Sequence, residues 1–383
     1  MFVKKLNFLS LGTALLSLLL WSGVADAEMG LNMTQGVTPV SHDVYHLHML
    51  ILTVVTVIGV LVFSVMFWSI FNHRKSKGAV PAQFHHSTTA EIAWTIIPIV
   101  ILVIMAIPAT RVLMEMEDTS NADITVKVTG YQWKWKYDYM NEGLTFFSVL
   151  DQASNEASQL NSGKDVYKVD HYLRNVDQPI VLPVNKKIRI LTTSNDVIHA
   201  WWVPALGWKR DAIPGFINDN WTLIEKPGIY RGQCAELCGK GHGYMPIVVK
   251  AVSEEDYEAW INDMKQAQAE AASDSNKEYT MDELMTKGKE LFAQNCAACH
   301  MAEGQGVPGM FPALKGSPIT TKPEGRADHL HHILFGKNLM PPFGEQLSDA
   351  DIAAIATFER NAWGNNTGDI IQPKEVKEAR SKK

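Results

Sequence analysis

Apolar residues are concentrated in two long runs near the start of the chain, and the rest alternates between short apolar and polar segments. Residues 47–71 contain no Asp, Glu, Lys or Arg, and the only charged residue of 92–114 is Arg111. Each run is long enough to cross a hydrocarbon core of about 30 Å as a helix. Pro98 and Pro108 interrupt the second run, which membrane helices tolerate better than soluble helices do. The pattern predicts a two-helix transmembrane hairpin.

The charges around these runs predict their orientation. Arg74, Lys75 and Lys77 lie between the spans, whereas residues 28–46 carry no Lys or Arg. The positive-inside rule therefore places the connecting loop in the cytoplasm and everything after the second span outside. The formal net charge of -6 gives no sign of nucleic-acid binding.

Residues 1–27 have the pattern of a secretory signal peptide. Lys4 and Lys5 precede an apolar stretch over 6–20, and Ala25-Asp26-Ala27 is a small-x-small cleavage site. The alternative is an uncleaved membrane anchor; the polar flank after the apolar stretch favours cleavage. An uncleaved anchor would add a crossing from the inside, and the C-terminal part would still end outside.

The remaining chain changes from β-like to helical patterning. Short alternating runs separated by Pro, Gly and Asn predict an antiparallel sandwich or barrel, and one buried sandwich face is predicted for the alternating aromatics Tyr131, Trp133, Trp135, Tyr137 and Tyr139. The predicted organisation is a signal peptide (1–27), a helical hairpin (28–121), a β-sandwich (122–252), a helix with a flexible linker (253–278), a helical domain (279–364) and a solvated, mobile basic tail (365–383).

The segment GQCAELCGKGHGYMP at 232–246 gathers several soft metal ligands on one glycine-rich loop. Cys238, His242 and Met245 fit the ligand loop of a single blue-copper site, with His199 as the obvious upstream imidazole. Sulfur and imidazole together favour copper over calcium or magnesium, and zinc accepts the same ligand types.

The four cysteines form two local pairs, Cys234 with Cys238 and Cys296 with Cys299. Disulfides are the default in the oxidising compartment on the outer side of the membrane. A Cys234–Cys238 disulfide beside unrelated histidines is therefore the alternative to a metal site. A disulfide that closes so small a loop stabilises little, which favours cofactor ligation. Two thiolates four residues apart can each bridge two metal ions, and each ion then has one histidine.

These residues resemble the dinuclear CuA site of cytochrome c oxidase subunit II. The resemblance rests on His199 with Cys-x-Glu-x-Cys-x3-His-x2-Met, and it extends to DAIPG at 211–215, GYQWKW at 130–135 and WTIIP at 94–98. It implies a cupredoxin-like fold for the sandwich. It also implies a ligand set of bridging Cys234 and Cys238, terminal His199 and His242, and weak ligands from Met245 and the backbone carbonyl of Glu236.

The resemblance implies three further roles. The side chain of Glu236 would face a magnesium ion at the junction with the catalytic subunit. Trp133 would be the point where an electron enters from cytochrome c, although alternation alone predicts a core residue. Glu91 would lie at the mouth of a proton-uptake path, and the alternative is a solvated acid that is favourable at a helix start.

Cys296-Ala-Ala-Cys299-His300 is the c-type haem attachment motif, in which both thiols add to the haem vinyl groups and His300 reaches the iron. Met340, followed by Pro-Pro-Phe, resembles the methionine loop of class I cytochromes c, and a Met ligand raises the haem potential. The alternatives for the sixth ligand are Met310, His329, His331 and His332.

The expected fold class is therefore multidomain: a transmembrane hairpin, an all-β cupredoxin-like sandwich and an all-α cytochrome c domain. The resemblance implies a haem–copper oxidase subunit II that takes electrons at a covalent haem c and passes them through CuA to the catalytic subunit I, which reduces oxygen to water and translocates protons. Expected partners are that subunit, other oxidase subunits, membrane lipid, and an external donor such as a cytochrome c or a quinol-oxidising complex. The implied location is a bacterial inner membrane, with the C-terminal domains on the periplasmic face.

Three other protein classes match parts of this pattern. A nitrous-oxide-reductase-like protein shares the copper loop but needs a large catalytic domain. A copper-delivery protein needs only a cysteine pair and a histidine, and has no use for Met245 or a haem. A quinol-oxidase subunit has the same topology but lacks the copper ligands.

Overall fold

Two long apolar helices begin the part of the chain that the computed structural model describes, residues 32–83, 85–159, 162–338 and 340–382. Helix α1 is Pro39–Asn72 and helix α2 is Thr88–Glu117, and each is long and apolar enough to cross a membrane. Thr38 caps α1 by accepting a hydrogen bond from the backbone N–H of Ser41. Most of their large apolar side chains are exposed, as expected of helices that lipid covers. The predicted signal peptide lies outside the described residues.

The next region is a sandwich of two five-stranded sheets. One sheet has the strand order β3-β2-β1-β5-β8 and the other β4-β10-β9-β6-β7. The strands are β1 Ile124–Tyr131, β2 Lys134–Tyr139, β3 Leu144–Ser148, β4 Ile180–Pro183, β5 Ile188–Ser194, β6 His199–Val203, β7 Trp208–Ala212, β8 Asn218–Thr222, β9 Gly228–Cys234 and β10 Pro246–Val252. Buried residues of both sheets form one core, as the period-2 pattern predicts. The prediction of an antiparallel arrangement is wrong for two pairs, because β1 runs parallel to β5 and β4 runs parallel to β10.

The aromatic alternation on β2 is buried only in part. Trp135, Tyr137 and Tyr139 are at most 1% exposed and lie in the core. Tyr131 and Trp133 are half-buried, so the predicted buried face is confirmed for three of the five aromatics, which is most of them, and does not include these two. The reason is local: residues 132–133 form the turn that joins β1 to β2, and the alternation breaks there.

The C-terminal region is helical. After helix α3 (Gln152–Ser158), which lies in the connection between β3 and β4, the helices are α4 Glu254–Ser273, α5 Met281–Asn295, α6 Ala297–His300, α7 Pro318–Thr321, α8 Arg326–Phe335, α9 Asp349–Asn361 and α10 Pro373–Arg380. Helices α5 and α9 cross closely at Gly288, where a Cβ atom would lie 2.1 Å from the carbonyl oxygen of Ala354. Ser348 caps α9 by accepting a hydrogen bond from the backbone N–H of Asp351.

The tail predicted to be solvated and mobile is ordered instead. Ile371 and Val376 are fully buried against the core of the helical domain. Arg380 donates hydrogen bonds to Asp349 and to the carbonyl oxygen of Leu347. The prediction gave weight to the polar composition of the tail, but Ile371, just before the short helix α10, and Val376, within it, both pack against the domain core.

The predicted linker is also more ordered than expected. Helix α4 continues to Ser273, where the pattern predicted fraying into flexible chain. Lys265 forms an ion pair with Glu142 at 3.2 Å, and Gln268 donates a hydrogen bond to the carbonyl oxygen of Thr145. Helix α4 therefore packs along the sandwich before the chain enters the helical domain.

Candidate metal centre and haem-attachment site

The loop between β9 and β10 brings the predicted metal ligands together. The Sγ atoms of Cys234 and Cys238 are 3.8 Å apart, and the Nδ1 atom of His199 lies 3.9 Å from Cys234 Sγ. On the other side, Cys238 Sγ lies 3.5 Å from both the Nδ1 atom of His242 and the Sδ atom of Met245. The carbonyl oxygen of Glu236 is 3.3 Å from Cys234 Sγ. All six predicted donor atoms thus lie in one cluster.

The two thiols are not joined in a disulfide. An S–S bond is about 2.05 Å long, well below their separation, and all the described cysteines are free. A hydrogen bond shared between the thiols lowers the pKa of Cys234 and raises that of Cys238. Among the described residues, one group of at least three His, Cys, Asp or Glu side chains has its donor atoms close enough together to hold a metal ion. This group is His199, Cys234 and Cys238.

The sheet positions the upstream histidine. His199 begins β6, Cys234 ends β9, and the two strands pair through Trp201 and Cys234. The imidazole packs against Gly130, where a Cβ atom would lie 2.7 Å from the His199 ring. Only glycine leaves room for the ring at this position of β1.

Asp196 fixes the orientation of His199. Its Oδ1 atom lies 2.9 Å from His199 Nε2, and this contact leaves Nδ1 facing the thiols. Burial alone would raise the pKa of Asp196, but hydrogen bonds from His199 and from the N–H groups of Gln132 and Val197 hold it below its usual value. A carboxylate that orients a ligating imidazole is a common arrangement at metal sites. The sequence prediction missed this residue, although its position three residues before His199 was a usable signal.

Trp133 contacts the metal loop directly. Its indole Nε1–H donates a 3.1 Å hydrogen bond to the carbonyl oxygen of Cys238, which also accepts one from the Gln132 side chain. Gly241 lies against the indole ring, where a Cβ atom would approach to 2.3 Å. The side chain predicted to be the electron entry point is therefore one hydrogen bond from a predicted copper ligand.

The two predicted acidic sites lie apart from this cluster. The side chain of Glu236 is exposed, and only its carbonyl oxygen approaches the thiols. Glu91 lies in the first turn of α2 and is exposed. That position fits both the predicted proton-path role and the alternative of a favourable acid at a helix start.

The haem motif spans the end of α5 and the whole of α6. Cys296 is the C-terminal cap of α5, and Cys299 and His300 lie on the short helix α6. The Nδ1 atom of His300 donates a 2.9 Å hydrogen bond to the carbonyl oxygen of Pro312. This bond fixes the ring tautomer and leaves Nε2 free for a metal, which is the arrangement of an axial histidine. An open cavity of about 360 Å³ adjoins Pro312.

The candidates for the sixth haem ligand differ in their surroundings. Met340 packs against the core of the helical domain, whereas Met310 is 60% exposed at the open cavity. His329 is buried and its Nε2 atom lies 2.6 Å from Glu359, so that nitrogen already has a partner. His331 and His332 pack edge-on against each other on α8. These contacts favour Met340.

Comparisons with known families match three separate parts of the chain. A family described as "Cytochrome C oxidase subunit II, periplasmic domain" matches residues 124–252, and the corresponding transmembrane domain matches residues 26–112. Residues 283–358 match a third family, described as "Cytochrome C oxidase, cbb3-type, subunit III". The three matches follow the order of the hairpin, the sandwich and the helical domain.

Several relatives match the first two regions. The probable cytochrome c oxidase subunit 2 of Rickettsia prowazekii is 42% identical over 225 residues, which cover 58% of this chain and 69% of the relative. Cytochrome c oxidase subunit 2 of Cereibacter sphaeroides is 39% identical over 64% of this chain and 83% of the relative.

Solved structures also match part of the chain. The periplasmic domain of subunit II of cytochrome oxidase from Bradyrhizobium japonicum is 39% identical, with 39% of this chain and 98% of that chain aligned and a TM-score of 0.34. The family match is carried by the two subunit II domains and by the extent of the sequence identity. The chain belongs to the cytochrome c oxidase subunit II family, and it carries a cytochrome c domain after the cupredoxin-like sandwich.

Proposed function

We propose that this chain is the electron-entry subunit of a haem–copper cytochrome c oxidase. Electrons from an external donor would enter the cytochrome c domain, pass to the copper-binding sandwich and leave for the catalytic subunit. The observation that carries the proposal is the convergence of six donor atoms, three of them sulfur, at the metal loop, with that loop in contact with the haem-attachment segment. Family membership supports an oxidoreductase complex as the setting.

The donor set of the metal loop fits a pair of copper ions. Cys234 and Cys238 would bridge the ions, and His199 and His242 would bind one ion each. Met245 and the carbonyl oxygen of Glu236 are placed to be the weak ligands. Thiolate and imidazole ligands suit copper, and a copper pair would supply one-electron redox chemistry. The chain contributes a preset geometry, because β6, β9 and Asp196 fix the ligands before any metal binds.

The helical domain fits a covalent haem c. Cys296 and Cys299 would form the two thioethers, and His300 would be the proximal ligand. Met340 is the proposed distal ligand. A haem with histidine and methionine ligands has a high potential, which suits transfer of electrons toward copper.

Three further site assignments belong to the proposal. Trp133 would be the electron entry side chain of the sandwich, supported by its hydrogen bond to the Cys238 carbonyl oxygen. Glu91 would lead protons toward the catalytic subunit. The exposed carboxylate of Glu236 would face a magnesium ion only if the catalytic subunit supplies the other oxygen ligands, as Mg²⁺ sites require near-octahedral coordination.

The proposed setting is a bacterial inner membrane. Helices α1 and α2 would cross it, and both soluble domains would lie on the periplasmic side. The proposed partners are the catalytic subunit, other oxidase subunits, lipid, and an external cytochrome c or quinol-oxidising complex.

The role of the haem as entry point can be tested in the assembled oxidase. The double variant Cys296→Ala/Cys299→Ala lacks the haem thioethers but leaves the metal loop intact. We expect its oxygen uptake with the external donor to fall at least about tenfold, while the copper absorption is unchanged. Unchanged oxygen uptake would show that electrons enter elsewhere, for example directly at Trp133.

A further inference from the structure

Lys134 is a buried cation at the junction between the sandwich and the cytochrome c domain. It begins β2, directly after Trp133, and the residue is only 6% exposed. Its Nζ atom lies over the rings of Phe147 of the sandwich, at 5.3 Å, and Phe343 of the cytochrome c domain, at 4.7 Å. Each ring face attracts the ammonium group. One side chain therefore contacts both domains.

A short series of hydrogen bonds continues from Lys134 to the haem-attachment segment. The ammonium group donates to the Oε1 atom of Gln346. The Nε2 atom of Gln346 in turn donates to Asn295 Oδ1 at 2.7 Å, and Asn295 directly precedes Cys296. Lys134 follows Trp133 in the chain, so the series joins the proposed entry tryptophan to the haem-attachment cysteine.

Two further contacts between the domains lie near this point. Lys240, in the metal loop, lies 3.4 Å from the carbonyl oxygen of Ala298 and 5.3 Å from the centre of the Phe311 ring. Asn155 of α3 donates a 2.7 Å hydrogen bond to the carbonyl oxygen of Ala293. The cytochrome c domain is thus held on both sides of Cys296.

Burial disfavours the charged form of the Lys134 side chain, whereas its ring contacts favour that form. Burial lowers its pKa to about 8, which means that the charged form is costly at this position. Replacing buried charged groups with apolar side chains of similar size is often neutral or stabilising. Buried polar contacts can instead specify one packing arrangement among several. The contacts of Lys134 therefore bear on geometry more than on the strength of docking.

We infer that Lys134 is a positioning residue that fixes the register of the tethered cytochrome c domain on the copper-binding sandwich, acting through the side chain of Gln346. The inference rests on the proposed function for its importance to electron flow, but the docking register itself is independent of it. The reaction that it affects is an outer-sphere transfer of one electron between the two domains, in which no bond forms and no proton moves.

The first test measures the register directly in the full chain. Nitroxide labels at Lys250→Cys and Lys322→Cys, one exposed position in each domain, report an interdomain distance distribution by pulsed electron resonance. We expect one narrow distribution in the parent and a broader one in Lys134→Met, which keeps the apolar stem and removes the ammonium group. Lys127→Met is the matched control, because Lys127 pairs with Asp138 inside the sandwich. Identical distributions for Lys134→Met and the parent would overturn the inference.

The second test measures the interdomain electron-transfer rate in the assembled oxidase after photoreduction of the haem. We expect Lys134→Met to slow it about tenfold and to split it into several phases, since small misplacements of reacting groups have large kinetic effects. The haem potential and the copper spectrum should stay unchanged, which separates positioning from damage to either site. Gln346→Leu should have the same effect, and the double variant should be no slower than either single variant. Additive losses would contradict a shared contact.

Discussion

The Nζ atom of Lys240 lies 3.4 Å from the carbonyl oxygen of Ala298, so the loop that carries the proposed copper ligands touches the haem-attachment segment. Lys240 is two residues from Cys238 and from His242, and Ala298 lies between Cys296 and Cys299. The two redox motifs of the chain therefore share a boundary. Tethering through α4 raises the local concentration of one domain near the other, and this contact lies where the two domains meet.

Asp196 should control how tightly the metal loop binds copper. Asp196→Asn keeps the size of the side chain but removes the negative charge that orients and polarises His199. We expect copper affinity to fall about 10- to 100-fold, as is typical when such an outer carboxylate is lost. Competition with a copper chelator measures the affinity, and Asp211→Asn is a control on the neighbouring strand. An unchanged affinity would show that the sheet alone orients His199.

The distal haem ligand can be identified from the haem potential. Met340→Ala should lower the potential markedly, because loss of a thioether ligand removes stabilisation of the ferrous state. Met310→Ala should leave it unchanged, since that side chain is 60% exposed beside the open cavity. A lowered potential in Met310→Ala and an unchanged one in Met340→Ala would exchange the two assignments.

Docking of the two domains should depend on pH through Lys134. Its pKa is lowered from 10.5 to about 8 in the docked state by burial. Below pH 8 the lysine is charged in both states and docking bears the full cost of burying the charge. Above pH 8 the docked lysine loses its proton before the more exposed undocked lysine does, so docking should strengthen as pH rises.

Hydrogen exchange of residues 293–298 and 343–347 across pH 7 to 10 reports this change, after correction for the intrinsic exchange rate. The groups around Lys134 that also carry charge or titrate in the haem-loaded chain are Tyr131, Lys136, Asp196 and Glu345. The Lys134→Met variant should therefore lose most of the pH dependence. The same pH dependence in that variant would assign it to one of these neighbours.

The C-terminal helix α10 should stabilise the cytochrome c domain. Val376 is fully buried, and Val376→Ala should lower the free energy of unfolding by about 2 kcal/mol. Lys374→Ala, at an exposed position of the same helix, is the matched control and should change it little. Thermal unfolding followed by haem absorbance gives both values. Equal stability of the two variants would show that the tail does not contribute to the fold.

The sequence was most informative where the interacting residues are close together in the chain. The spacings from Cys234 to Met245 and from Cys296 to His300 specify ligand types within one loop or helix turn, and the structure places them together. Long-range pairs gave no such signal. Lys134 and Gln346 are 212 residues apart, and nothing in either segment indicates the other.

Composition misled the prediction at the C-terminal tail. Lysines and glutamates dominate residues 373–383, and the two apolar residues that anchor the tail, Ile371 and Val376, are too few to produce a strong periodic pattern. Similarly, the alternation from Tyr131 to Tyr139 could not show that the first two aromatics lie at a turn. Which residues a surface or turn side chain contacts depends on the tertiary fold, and the local sequence pattern does not show it.

Metal content and electron paramagnetic resonance of the purified full chain would distinguish a thiolate-bridged copper pair beside a covalent haem from a single-copper site. We expect two coppers per haem iron and a spectrum in which one unpaired electron is shared between both coppers. Cys234→Ser should abolish that shared spectrum, because one of the two bridges is lost. One copper per haem, or a disulfide between Cys234 and Cys238 in the parent protein after copper loading, would rule out the thiolate-bridged copper pair.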